Sequence, residues 1–180
     1  MPASAVCDLV SRAEAFSLDA HKGQVRKHTG LPYSAHTHRV AQIVSSVTKN
    51  PIAIAAAHLH HVAENPRFTH RDILCQFGMA VGDTVFWLTD PAGPQKVEAQ
   101  SKRNTRFLSH IARATSMVQT IKLADMIDDI GSIAKLDLEY AQACLPEKQA
   151  MLHVLTRADK SLMAQARIAM DRAWVQINKN

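Results

Sequence analysis

The segment from Ile52 to about Glu64 constrains the fold most. It is apolar on nearly every side, and it opens with Asn50-Pro51 and closes at Asn65-Pro66. Asparagine is a good N-cap, and proline at the first helical position loses only an N–H that has no helical partner. A helix that is apolar all round has to be enclosed by others, so this one, third in the chain, belongs in the middle of the domain. A fold built round a buried helix needs several further helices, and the composition agrees. Hydrophobic residues make up 47% of the 180 residues and aromatics only 5%. With alanine abundant, helices are favoured over strands. The prediction is a single all-α domain, a helical bundle, over 1–180.

Periodicity and caps place the other elements. A first helix carries Val6, Leu9, Val10, Ala13, Phe16 and Ala20, and a polar loop runs from His21 to Tyr33. A second helix, opening near His36, carries Val40, Ile43, Val44 and Val47. Thr69 to Asp72 has capping-box spacing ahead of a short helix to Phe77, with Gly78 as its C-cap. Another helix should reach about Leu88, followed by a loop with Pro91, Gly93 and Pro94. Helices are expected from Glu98 to Ala114 and from Ser116 to Ile130, the latter ended by Gly131. The remainder reads as helical with a break at Pro146.

The central helix carries polar groups where it should carry none: His58, His60, His61 and Glu64. A buried imidazole or carboxylate without a partner is costly, so these groups need hydrogen bonds or a metal. On a continuous helix His60 and His61 would point about 100° apart and reach one ion only at its edge. His36 and Asp125 are suitable partners, and Asp125 tends to share the inward face of Ile121. Imidazoles with one carboxylate suit a divalent transition metal. The plainer reading makes Asp125 the partner of a lysine or arginine and His58 a capped or surface residue.

The bulk numbers narrow the function classes. Net charge is +5, which suits phosphate-bearing ligands, but there is no long basic run of the kind that binds nucleic acid. Cys7, Cys75 and Cys144 form no CxxC pair, and their number is odd. No secretion signal or membrane-length apolar run is visible, so a cytoplasmic location without membrane association is expected. Oligomeric state is left open.

Several blocks in order resemble the HD hydrolase domain of the RelA/SpoT family, most of all the Mesh1-like small alarmone hydrolases. They are His21-Lys22-Gly23-Gln24-Val25-Arg26-Lys27 with Pro32-Tyr33-Ser34-Ala35-His36, then Ala57 to Asn65, Phe77-Gly78 with Val85 and Thr89, and Lys122-Leu123-Ala124-Asp125. The likeness spans about residues 13 to 130, leaving 131–180 as a helical extension. It implies an all-helical HD-domain bundle that hydrolyses the 3′-pyrophosphate of a nucleotide such as (p)ppGpp with one divalent metal, manganese in the family. By the same resemblance the metal ligands are His36, His60, His61 and Asp125, and the catalytic pair is Glu64 and Asn65. Arg26 and Lys27 would lie against the nucleotide, with Asp129 at a further substrate position. Lys96 and Arg103 are two further basic residues that could meet phosphate, although a solvated surface role suits them better.

Three positions depart from the family pattern: His61 replaces the aspartate of HD, Asn65 replaces the second acid, and Asp129 replaces an asparagine. An imidazole in place of a ligating carboxylate makes zinc, iron or nickel suitable where manganese would prefer oxygen. Asn65 cannot accept a proton, and Asp129 would repel phosphate if it faced the substrate. These departures leave a second reading open, that of a catalytically silent HD-fold protein which binds a nucleotide or metal and acts through a partner.

Overall fold

The computed structural model describes residues 3–26, 29–91, 100–136 and 138–179. The chain is helical throughout: α1 (Ala3–Ala20), α2 (Tyr33–Val47), α3 (Pro51–Leu59), a 3-10 turn (Val62–Glu64), α4 (His70–Phe77), α5 (Met79–Leu88), α6 (Gln100–Ala112), α7 (Ser116–Leu136), α8 (Leu138–Val154) and α9 (Lys160–Ile177). The only extended pairing among the described residues is an isolated bridge between Val25 and Pro32 in the loop before α2.

Helix α3 is the hub, packed against α1, α2, α5 and α7. Ala53, Ala55, Ala56, Ala57 and Leu59 are all buried, as an all-round apolar helix requires. The run of small side chains lets α1 and α2 approach closely. Asn50 caps the helix by accepting from the Ile52 amide, with Pro51 behind it. The Thr69–Asp72 capping box is present, and Gly78, at φ +80°, makes the tight passage from α4 to α5. No helix among the described residues is long and apolar enough to cross a membrane.

Three boundaries differ from the sequence expectation. The third helix stops at Leu59 rather than near Glu64. His60 turns its ring back onto the Ala57 carbonyl (Nδ1 to O 2.7 Å), and the chain then passes into the 3-10 turn. Helix α7 runs through Gly131 to Leu136. A C-terminal glycine signal needs positive φ, which among the described residues only Gly23, Gly30 and Gly78 adopt. Pro146 lies inside α8, which packing against α6, α7 and α9 keeps continuous. The real break follows at Leu155, and Asp159 then caps α9 by accepting from the Ser161 and Leu162 amides. Glu98, the expected start of α6, lies outside the described residues.

Candidate metal centre

Three packed elements, α2, α3 and α7, bring four donors to one point. His36 sits in the first turn of α2, His60 and His61 follow the end of α3, and Asp125 lies midway along α7. The early end of α3 allows both adjacent histidines to serve. Off the helix their rings lie 4.1 Å apart instead of diverging. Asp125 Oδ1 is 3.2 Å from His36 Nε2, 3.6 Å from His60 Nε2 and 3.9 Å from His61 Nε2. His36, His60 and Asp125 are at most 2% exposed.

Hydrogen bonds on the far side of the His36 and His60 rings set their protonation. His60 Nδ1 faces the Ala57 carbonyl, which can only accept, so Nδ1 carries the proton and Nε2 presents a lone pair. His36 Nδ1 lies 2.7 Å from Asp128 Oδ2, a carboxylate that His36 and Arg39 hold below its ordinary value against the opposing effect of burial. The same tautomer follows. His61 Nδ1 faces Glu64 Oε2 at 3.0 Å. Buried lone pairs therefore point at a buried carboxylate oxygen. His36 Nε2, His60 Nε2 and Asp125 Oδ1 have no hydrogen-bond partner. Such a group repels itself unless a cation sits within it, and the donors fit one divalent ion.

The electrostatics differ from ring to ring. Burial, with the neighbouring His61, pushes His60 down to about 4, so it stays neutral. Burial also opposes a charge on His61, but Glu64, Tyr33 and Asp125 outweigh it and raise that ring well above the usual imidazole range. Burial would raise the Asp125 carboxyl, yet Lys122 and the three histidines hold it well below the ordinary value. Lys122 Nζ donates to Asp125 Oδ2 at 2.7 Å. The ion-pair reading of Asp125 thus accounts for one oxygen, and the other is left toward the imidazoles.

An outer ring fixes these donors, and Asp128 and Arg39 in it have no role in the sequence reading. Arg39 donates to both Asp128 oxygens, from Nε at 2.5 Å and from a terminal nitrogen at 3.0 Å. Arg39 follows His36, and Asp128 follows Asp125, by three residues on its own helix, the spacing of same-face neighbours. His21 is stacked on Tyr33, and the Tyr33 ring meets His36 and His61 edge-on.

The remaining candidates fall around this centre. Glu64 is 45% exposed at its mouth, with its carboxyl lowered by His61 against the effect of burial. Asn65 is buried, and its amide is committed to backbone: Nδ2 donates to the Ala20 carbonyl at 2.5 Å, and Oδ1 accepts from the Arg67 amide. Arg26 pairs with Asp129, and Lys148 binds the other oxygen of that carboxylate. The Asp129 charge is therefore shared between two cations and not turned bare toward a ligand. Lys27 and Lys96 lie outside the described residues, and Arg103 pairs with Asp90. A cavity of about 460 Å³ between α6, α7 and α8 has Lys122 and Lys148 in its wall beside Phe107, Met126 and Tyr140.

Comparison with known proteins sets this arrangement in context. An HD domain family model matches residues 13–155. The chain is 31% identical over 121 residues to a guanosine-3′,5′-bis(diphosphate) 3′-pyrophosphohydrolase of Haemophilus influenzae, covering 66% of this chain and 18% of that protein. It is 30% identical over 124 residues to the Aquifex aeolicus protein of the same name, covering 69% and 18%. It thus spans under a fifth of the length of these relatives. The solved structure of a metazoan ortholog of SpoT that hydrolyzes ppGpp superposes with a TM-score of 0.82 at 20% identity, over 91% of this chain and 94% of that one. That likeness shows a common fold.

Proposed function

Since the chain belongs to the HD domain family, we propose that it is a metal-dependent phosphohydrolase that removes the 3′-pyrophosphate of a nucleotide of the (p)ppGpp type. The observation that carries this reading is the buried meeting of imidazole lone pairs with Asp125 Oδ1, in which no protein donor intervenes. The activity for which the relatives are named supplies the substrate class. His36, His60, His61 and Asp125 hold one divalent ion. When bound, such an ion polarises a phosphoryl oxygen and acidifies a water.

The chain's own residues then divide the work. Glu64, exposed at the mouth and ionised, orients the attacking water and accepts its proton. Asn65 fixes the turn that carries Glu64 by tying it to the end of α1. Arg26 meets the nucleotide, and Asp129 anchors it from behind. Lys122 holds Asp125 from the outer side, so the carboxylate keeps one oxygen for the ion.

Three imidazoles and one carboxylate favour zinc, iron or nickel over manganese. Competition of equimolar ions for chelator-stripped protein reads this, and a clear preference for manganese would turn His61 away from the ion. The functional test is phosphate and pyrophosphate release from a small nucleotide panel by wild type and Glu64→Gln. Wild type is expected to turn over a 3′-pyrophosphorylated nucleotide, and Glu64→Gln to lose at least 100-fold in rate, the lower range for a positioned acid or base. One observation favours a silent nucleotide-binding role instead: Asn65 is engaged with backbone where the family has an acid. A wild type that binds metal and nucleotide yet releases no product from any member of the panel would establish that role and overturn the enzyme.

A further inference from the structure

A second group of donors converges on the opposite face of the α2–α3 pair. Glu14 lies on α1, His38 on α2 and His58 in the last turn of α3. His38 follows His36 by two residues and His58 precedes His60 by two. Two steps along a helix turn the side chain by about 200°. The helices that give one pair of imidazoles to the centre therefore give another pair to their far side. There α1, which packs on both, supplies the carboxylate.

His38 Nδ1 is 2.8 Å from Glu14 Oε1, and the His38 and His58 rings lie 6.0 Å apart. One donor atom from each of the three falls within 4.8 Å of the others. His58 was expected to be a capped or surface residue, but it is only 5% exposed, and among the described residues it forms no hydrogen bond. Neither ring nitrogen is among the fully enclosed unpartnered atoms, so the ring can be reached by a ligand. His38 and Glu14 are 49% and 40% exposed, so the group opens to solvent on one side.

We propose that Glu14, His38 and His58 form a second metal site, one that takes a divalent transition ion of the zinc type. Two nitrogens and one carboxylate oxygen are the donor set of open zinc sites, where water fills the fourth position. Calcium and magnesium, which demand oxygen, do not suit it. Tetrahedral bonds of about 2.1 Å require donors about 3.4 Å apart. The half-exposed Glu14 and His38 side chains have the freedom to close that distance onto the fixed His58. The ion would staple α1, α2 and α3 together on the side away from the centre. This inference does not depend on the hydrolase reading.

The test titrates zinc alone into the chelator-stripped protein against a competing chromophoric chelator. Wild type is expected to take two ions per chain. Glu14→Gln with His38→Ala should take one, and far-UV circular dichroism should find the helices unchanged because both residues are on the surface. His60→Ala, with His61→Ala as a second route if that variant fails to fold, should also keep one ion. All the substitutions together should leave none. The proposal is overturned if Glu14→Gln with His38→Ala binds as much zinc as wild type, or if folded His60→Ala and His61→Ala chains keep none. A wild-type stoichiometry of one is assigned by the same variants. Loss with His38→Ala supports this site and fails the centre, and loss only with His60→Ala does the reverse.

Discussion

Asn65 occupies the position where the resembling family carries its second catalytic acid, and its side chain is engaged at both ends. The amide nitrogen donates to the Ala20 carbonyl and the oxygen accepts from the Arg67 amide. An aspartate there would place an acceptor against an acceptor in a buried setting. Asn65→Asp is therefore expected to lower stability by about 1–3 kcal/mol, the cost of an unsatisfied buried polar group, read as a lower urea midpoint with unchanged slope. A variant as stable as wild type would show that the turn can release Ala20 freely. The case also marks what single residues disclose in sequence. His36, His60, His61 and Asp125 stand out as polar groups in apolar surroundings. Asp128 and Arg39 do not, because an arginine and an aspartate on helix surfaces look solvated until a neighbouring helix brings them together.

At the level of elements, sequence pattern served where an element's fate is local. The capping box of Thr69 and Asp72 and the Asn50-Pro51 start are written in adjacent residues, and the structure has both. The end of α3 is not. It depends on the His60 ring reaching back to the Ala57 carbonyl, which hydrophobic periodicity cannot foresee. Likewise α7 and α8 run past Gly131 and Pro146 because tertiary packing overrides local breakers. A close approach between elements is equally silent in the sequence. At Gly82 an added Cβ would meet Leu74 Cδ2 at 2.4 Å and Cγ at 2.7 Å, with the Leu74 Cα at 3.3 Å. Gly82→Ala should therefore cost about 1–3 kcal/mol by overpacking the α4–α5 contact, despite the better helix propensity of alanine. A thermal melt that rises on this substitution would mean that α4 slides away without penalty.

For the molecule as a whole, the all-helical class was legible because an alanine-rich, aromatic-poor chain with one enclosed helix has few other ways to bury its apolar residues. The meeting of distant segments was legible only in outline: the residue pattern offered His36 and Asp125 as partners for the central histidines, and the resemblance to a family made them one set. That separation matters for how the chain acquires its shape. The donors of the centre stand at positions 36, 60, 61 and 125, so no short stretch contains a complete set. A metal site closed within a short loop can seed its own folding, but a site at these positions can form only after α7 has docked on α2 and α3. Contacts that form late change the rate of unfolding and not that of folding. In a stopped-flow chevron, saturating zinc should depress the unfolding limb and leave the refolding limb where it was. A faster refolding limb would mean that the ion gathers its ligands before the helices pack. If only the unfolding limb moves, the ion acts as a lock on the finished bundle and takes no part in guiding its assembly.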